Sequence, residues 1–307
     1  MTSTHFPPEW APQDAVQLTW PNDRGDWAPY LDRVEPAFLA IAREVAMRER
    51  LLVSCYDAAH LRAVEGRLRA AGVNMDRVRL FAVPSNDTWA RDHGPITVYG
   101  DSGPRLLDFV FNGWGGKYDA ALDNQITPRL AAAGGLPGIA QAAQEEPMNA
   151  LKLWPAALLA LALASPAGAF GDCPRVEVDL VLEGGGIETD GEGTLLTTAS
   201  CLLAPTRNPQ LDQPRLEARL GGLLGVDRFL WLHHGQLEGD DTDGHVDTVA
   251  RFCTPDTIAY QGCGDPQDPH YAPLQAMAAE LRGFRTRDGR PYRLVELPWP
   301  APKRNAA

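Results

Sequence analysis

The sequence predicts a mixed α/β fold built from small repeated modules, and three observations carry that prediction. Short strand-like runs alternate with amphipathic helical runs along most of the 307 residues. The order strand, helix, strand, then hairpin recurs in the second half without obvious sequence identity. Polar and glycine-rich loops fall at strand ends, where sites usually lie. Modules repeated every several tens of residues point to a radial or stacked arrangement.

Each element has its own signal. Pro7-Pro-Glu-Trp-Ala-Pro12 is an extended lead-in, and Ala15-Val-Gln-Leu-Thr-Trp20 is a short strand that Pro21-Asn-Asp ends. Tyr30 to Glu49 places Val34, Phe38, Ile41 and Val45 at helical spacing. Leu51–Cys55 reads as a buried strand, Ala58–Ala71 as a helix that stops at Gly72, and Val78–Val83 as a strand. Gly94–Tyr99 and Leu106–Val110 form a hairpin around Asp101-Ser-Gly103. Further on, Val178–Leu182, Thr194–Thr198 and Cys201–Ala204 read as strands. Asp212–Leu224 is a helix with Leu216 and Leu220 on one face. Phe229–Leu232, Val249–Phe252, Thr257–Tyr260 and Arg293–Leu297 complete the strands, with a helix over Ala272–Leu281. If His245-Val-Asp247 opens the strand before Phe252, period-two alternation puts His245 and Asp247 on one face.

Composition excludes several classes. Hydrophobic residues make 44% and charged residues 22%, enough for a full core. Twenty-eight basic against 40 acidic residues leave a net charge of −12, which argues against a nucleic-acid backbone as partner and suits a small cationic one. The five cysteines are odd in number and show no CxxC spacing, so reduced thiols and a cytoplasmic location are expected. The polar, proline-bearing start does not resemble a signal peptide. One long apolar run, Leu151 to Phe170, carries prolines at 155 and 166. They leave a stretch far short of the ~20 residues that span a membrane. It reads as a surface insertion, at about 140–174, in an otherwise single catalytic domain covering 1–307.

The chemistry-bearing residues gather in a few loops. Glu238-Gly-Asp-Asp-Thr-Asp-Gly-His-Val-Asp247 places five carboxylates and one histidine within ten residues. A histidine beside carboxylates suits proton transfer or a cationic ligand; a satisfied structural pair is the plainer alternative. Asn86-Asp-Thr-Trp-Ala-Arg-Asp-His-Gly-Pro95 offers Trp89 and Asp92, although Asp92 could simply pair with Arg91 or cap a turn. Phe111-Asn-Gly-Trp-Gly-Gly-Lys117 offers Trp114, whose indole face attracts cations, or is a tight turn with a packing Trp. Glu183 precedes a glycine triplet that lacks the Gly-Lys-Ser/Thr of a phosphate loop. Asp240, Asp241, Asp243, His245 and Asp247 are hard ligands, yet their spacing is not that of a calcium loop.

Together these segments resemble the agmatine deiminase family, related to the bacterial peptidyl-arginine deiminases of the guanidino-group-modifying superfamily. The matching stretches are Pro8-Glu-Trp-Ala-Pro12, Thr88–Pro95, Asn112–Lys117, Leu182–Gly191, Leu203-Ala-Pro-Thr-Arg-Asn-Pro209 and Thr242–Asp247. The resemblance implies a five-bladed pseudosymmetric α/β propeller, a pentein, with its last blade incomplete here. It implies that Asp92 and Asp247 hold a guanidinium and that His245 is the acid/base, with Trp89, Trp114, Glu183, Asp241 and Asp243 as substrate-binding candidates. The implied reaction is hydrolysis of agmatine to N-carbamoylputrescine and ammonia through a cysteine thiouronium intermediate, with no metal or organic cofactor. The implied partner is a small guanidino substrate, with no membrane; a homo-oligomer is compatible.

The sequence departs from the pattern at one point. The family's nucleophilic cysteine stands in a C-terminal segment with glycines and a His-Cys pair, and none of the five cysteines here has that context. Cys263, in Gln-Gly-Cys-Gly-Asp, follows His245 and is the one weighed as a substitute nucleophile. The expectation is a chain with little turnover as written. A guanidino-binding protein without catalysis, a peptidyl-arginine deiminase and a metal-dependent hydrolase are the alternatives.

Overall fold

The computed structural model describes residues 4–134 and 173–300. The insertion expected at about 140–174, with its apolar run, lies almost wholly outside them. The described strands form four three-stranded sheets, and the chain divides into two compact units. The first holds the residues up to Gly184 apart from Pro8–Trp10; the second holds Pro8–Trp10 and the residues from Gly185 on.

In the first unit, β1 (Ala15–Thr19), β2 (Arg50–Cys55) and β3 (Val78–Ala82) pair side by side, all parallel. Parallel neighbours need crossovers, and helices Leu31–Arg48 and Ala58–Ala70 supply them. The first helix buries Phe38, Ala42 and Ala46, with Val34, Ile41 and Val45 packed around them. Asp57 starts the second by accepting the backbone N–H groups of Ala59 and His60 at 2.9 and 2.8 Å. These helices cover a core of Leu18, Trp20, Leu51, Val53, Val64 and Leu68. The other sheet begins with a hairpin, β4 (Ile96–Gly100) against β5 (Gly103–Val110), and adds β6 (Arg175–Val181) parallel to β5.

The second unit repeats that plan twice. β7 (Ile187–Thr189) and β8 (Thr194–Thr198) are antiparallel, and β9 (Arg228–Leu232) returns parallel to β8 after helix Gln213–Leu224. β10 (Ala250–Thr254) and β11 (Thr257–Gln261) are antiparallel, and β12 (Arg293–Leu297) returns parallel to β11 after helix Tyr271–Gly283. Leu216, Leu220 and Leu224 form the buried stripe of the first helix, which Asp212 caps at the N–H of Arg215. Arg251 ties distant parts of this unit together: it donates to Glu188 at 2.8 Å and reaches Glu9 at 3.5 Å. Glu188 is buried with no exposed side-chain surface, so the ion pair keeps its charge from being left bare.

Two expected strands are turns instead. His245-Val-Asp247 does not open a strand: Val246–Thr248 is a turn, closed by the Thr248 hydroxyl donating to the His245 carbonyl at 2.7 Å, and β10 starts at Ala250. The alternation that placed His245 and Asp247 on one strand face therefore does not apply. Cys201–Ala204 is not a strand either. Thr198 accepts the N–H of Cys201 at 3.3 Å and starts a helical turn over Ala199–Leu202; local Ser/Thr bonds of this kind compete with strand pairing. No helix among the described residues is long and apolar enough to cross a membrane.

Candidate active site

The first unit builds a buried carboxylate into an aromatic cluster. The chain leaves β3 through Pro84–Asp87 and makes one helical turn, Ala90–His93, in which Arg91, Asp92 and His93 are all buried. Asp92 is 6% exposed and accepts the indole N–H of Trp114 at 3.1 Å. Trp114 sits in the left-handed region at φ +54° and follows Gly113 at φ +66°. A Cβ on Gly113 would lie 2.2 Å from the Tyr118 carbonyl oxygen, so only glycine fits there. Trp114 meets Phe111, Tyr118 and Trp89 edge-on, with centroids 5.2, 5.6 and 6.4 Å apart. Trp27 extends the cluster, 6.3 Å from Trp89. A buried carboxylate joined to an aromatic cluster is chemically suited to a cation, which a carboxylate attracts and a ring face can meet.

His93, next to Asp92, has a different task. Its Nε2 lies 3.2 Å from the Thr19 hydroxyl of β1, and its Nδ1 meets no hydrogen-bond partner among the described residues. Burial pushes its pKa down to about 3, so the ring is neutral at pH 7 and anchors the turn without adding positive charge beside Asp92.

The second unit holds its histidine on a tightly tied loop. The Asp240 carboxylate accepts the N–H of Thr242 at 2.9 Å and that of Gly244 at 2.6 Å. Arg207, its side chain 1% exposed, bonds Asp243 at 2.7 Å and the Thr242 carbonyl at 2.8 Å. Asp243 takes φ +65°, a conformation that Asp tolerates better than most residues. The Thr198 hydroxyl donates to the Gly244 carbonyl. His245 then emerges 2% exposed, its N–H on the Thr242 hydroxyl at 3.0 Å. Its ring nitrogen and the Cys201 sulfur lie within 4.8 Å. The glycine triplet explains the fit: a Cβ on Gly186 would press on Cys201 Sγ and Leu202 Cδ1, each at 3.2 Å.

The expected residues therefore fall in distinct places. Asp92, Trp89 and Trp114 come together in the first unit. Asp241, Asp243, His245 and Asp247 share the loop of the second, where Asp241 is exposed, Asp247 partly buried and Asp243 engaged by Arg207. Glu183, fully buried, follows β6 directly. Asp240, Asp241, Asp243 and Asp247 join no cluster of three metal-ligating groups among the described residues. Sequence reasoning missed Cys201 beside His245, Arg207 behind Asp243, and Trp27 beside Trp89. Arg207 stood inside a quoted motif, but nothing in spacing paired it with a residue 36 positions away.

Two outcomes are expected. The folded His93 is depressed below its unfolded value, so its contribution is full above about pH 6.5 and fades as pH falls toward 3. Urea unfolding at pH 7 and pH 5 should show an acid loss, from this group, approaching ~1.4 kcal/mol per pH unit, and His93→Gln should flatten it. Gly244→Ala would bring its Cβ to 2.7 Å from the Ser200 hydroxyl at φ +91°. It should lower stability by about 1–3 kcal/mol, read as a drop in the urea midpoint.

Comparison with known proteins places this arrangement. The chain matches the Porphyromonas-type peptidyl-arginine deiminase family over residues 5–307. It is 35% identical over 300 residues to the agmatine deiminase of Stutzerimonas stutzeri, covering 97% of this chain and 71% of that protein. The crystal structure of a candidate arginine deiminase from Porphyromonas gingivalis superposes with a TM-score of 0.81 at 45% identity, over 99% of this chain and 79% of that one. An agmatine deiminase of C. jejuni with substrate bound gives 0.77 at 30% identity, over 99% and 76%. The chain belongs to the Porphyromonas-type peptidyl-arginine deiminase family.

Proposed function

We propose that this chain recognises a small guanidino amine, agmatine foremost, for hydrolytic deimination. The observation that carries the reading is the buried Asp92 carboxylate, bonded by the indole N–H of Trp114, which itself packs edge-on against Phe111 and Trp89. In this reading Asp92 and Asp247 each accept paired N–H bonds from the guanidinium, whose planar charge offsets their own. Trp89 and Trp114 meet its face. Glu183 and Asp241 remain candidates for further contact; Asp243 would have to release Arg207 to join them.

The chemistry follows from the weak electrophilicity of a guanidinium carbon. A thiolate adds to that carbon and the carbon–nitrogen bond breaks, while His245 donates a proton to the departing ammonia. His245 then takes a proton from water, which attacks the thiouronium carbon; the carbon–sulfur bond breaks and a ureido product leaves. The thiol is left unassigned. Cys201 is near His245 but fully buried and packed against Gly186, and none of the five cysteines has the family's His-Cys context. Guanidino binding without turnover is the other reading. The five-bladed propeller belongs to the same proposal, supported by the hairpin–helix–strand plan that the β7–β9 and β10–β12 sheets share.

The test is calorimetric titration with agmatine, free arginine and a blocked arginine peptide, alongside an ammonia assay. Agmatine is expected to bind best. Asp92→Asn should weaken binding at least about tenfold, and His245→Gln should abolish any turnover while binding persists. An unaltered agmatine affinity in Asp92→Asn would sink the assignment.

A further inference from the structure

Asp123 lies outside every motif that carried the family resemblance, and it is 2% exposed. We propose that Asp123 is a positioning residue for guanidino recognition, its carboxylate clamping the connection that carries Trp89 and Asp92. The inference rests on the function proposed above.

The clamp is reciprocal. Asp123 accepts the N–H of Asn86 at 2.8 Å through Oδ1 and that of Asp87 at 3.2 and 3.1 Å through its two oxygens. Asn86 answers: its side-chain oxygen accepts the N–H of Leu122 at 2.7 Å and that of Asp123 at 3.3 Å, and its amide donates to Asp119 at 3.1 Å. Asp87, fixed in this way, accepts the N–H of Thr88 at 2.7 Å and the indole N–H of Trp27 at 2.6 Å. Thr88 leads straight into Trp89 and the turn bearing Asp92.

The same turn holds the other arm of the cluster. Asn124, beside Asp123, accepts the N–H of Phe111 at 2.8 Å, just ahead of Gly113 and Trp114. One short segment, 119–124, therefore sets the positions of both the Asp92 turn and the Trp114 turn. That is the separation the Trp114–Asp92 bond must span.

An amide would not replace the carboxylate here. Both oxygens accept backbone N–H groups, and an asparagine would turn its NH2 against one of them. Burial, aided by the nearby charges of Asp87 and Asp119, pushes the Asp123 pKa up to about 7, against the lowering effect of the two N–H donors.

The experiment compares the wild-type chain with Asp123→Asn, Asn86→Ala and Asp57→Ala. The last removes a helix cap in the same unit, away from the clamp. Each is titrated with agmatine by calorimetry, unfolded in urea, and recorded by near-ultraviolet circular dichroism, which reports tryptophan packing. Asp123→Asn is expected to weaken agmatine binding by about tenfold or more and to change the tryptophan dichroism, with Asn86→Ala doing both to a smaller degree. Asp57→Ala should lower only the urea midpoint. Wild-type affinity and dichroism in folded Asp123→Asn would overturn the proposal. If Asp123→Asn does not fold, Asn86→Ala decides in the same way. A wild-type chain that ignores agmatine rejects the guanidino reading instead, and the dichroism still shows whether Asp123 orders the cluster.

Discussion

A carboxylate withdrawn from water must be met by donors, and the first unit is arranged around that requirement at Asp92. Its one-turn helix is too short to be stable alone. It is held from one side by His93 on Thr19 and from the other by Trp114, whose indole N–H reaches the carboxylate only because residues 113 and 114 both take left-handed backbone. The aromatic rings exclude water without supplying further charge.

The second unit meets a related problem by other means. His245 is kept rigid by a loop whose acids are spent on the loop itself: Asp240 on two backbone N–H groups, Asp243 on Arg207. A run of carboxylates that looks like a binding surface on paper is thus partly internal scaffolding. Removing Asp243 would leave the buried Arg207 guanidinium without this partner, while Asp243 itself keeps contact with water. The glycine triplet contributes by absence: with no Cβ at Gly186, Cys201 and the His245 ring can pack against the backbone.

The candidate side chains stand on several loops, and each loop needs its own support. Asp123 and Asn124 serve the first unit, as Arg207 and Thr198 serve the second. These supports carry little chemical signature. An aspartate in a turn or an arginine after a threonine is ordinary in sequence, and its value appears only when the partner is known. That is why the Trp89–Asp92 and His245–Asp247 motifs were legible from residue type while their scaffolding was not.

Local rules accounted for most of the secondary structure. Helical spacing marked the runs that fold as Leu31–Arg48 and Gln213–Leu224, because periodicity acts over a few residues. They failed where a side chain competed for the backbone, at Thr198 and Thr248, so that Cys201–Ala204 and His245–Asp247 form turns. The sequence by itself determined the mixed α/β class and the family. Only the tertiary structure decided that Asp243 answers to Arg207, that Trp114 donates to Asp92 and that Cys201 lies beside His245, since these pairings depend on chain crossings that no local pattern encodes.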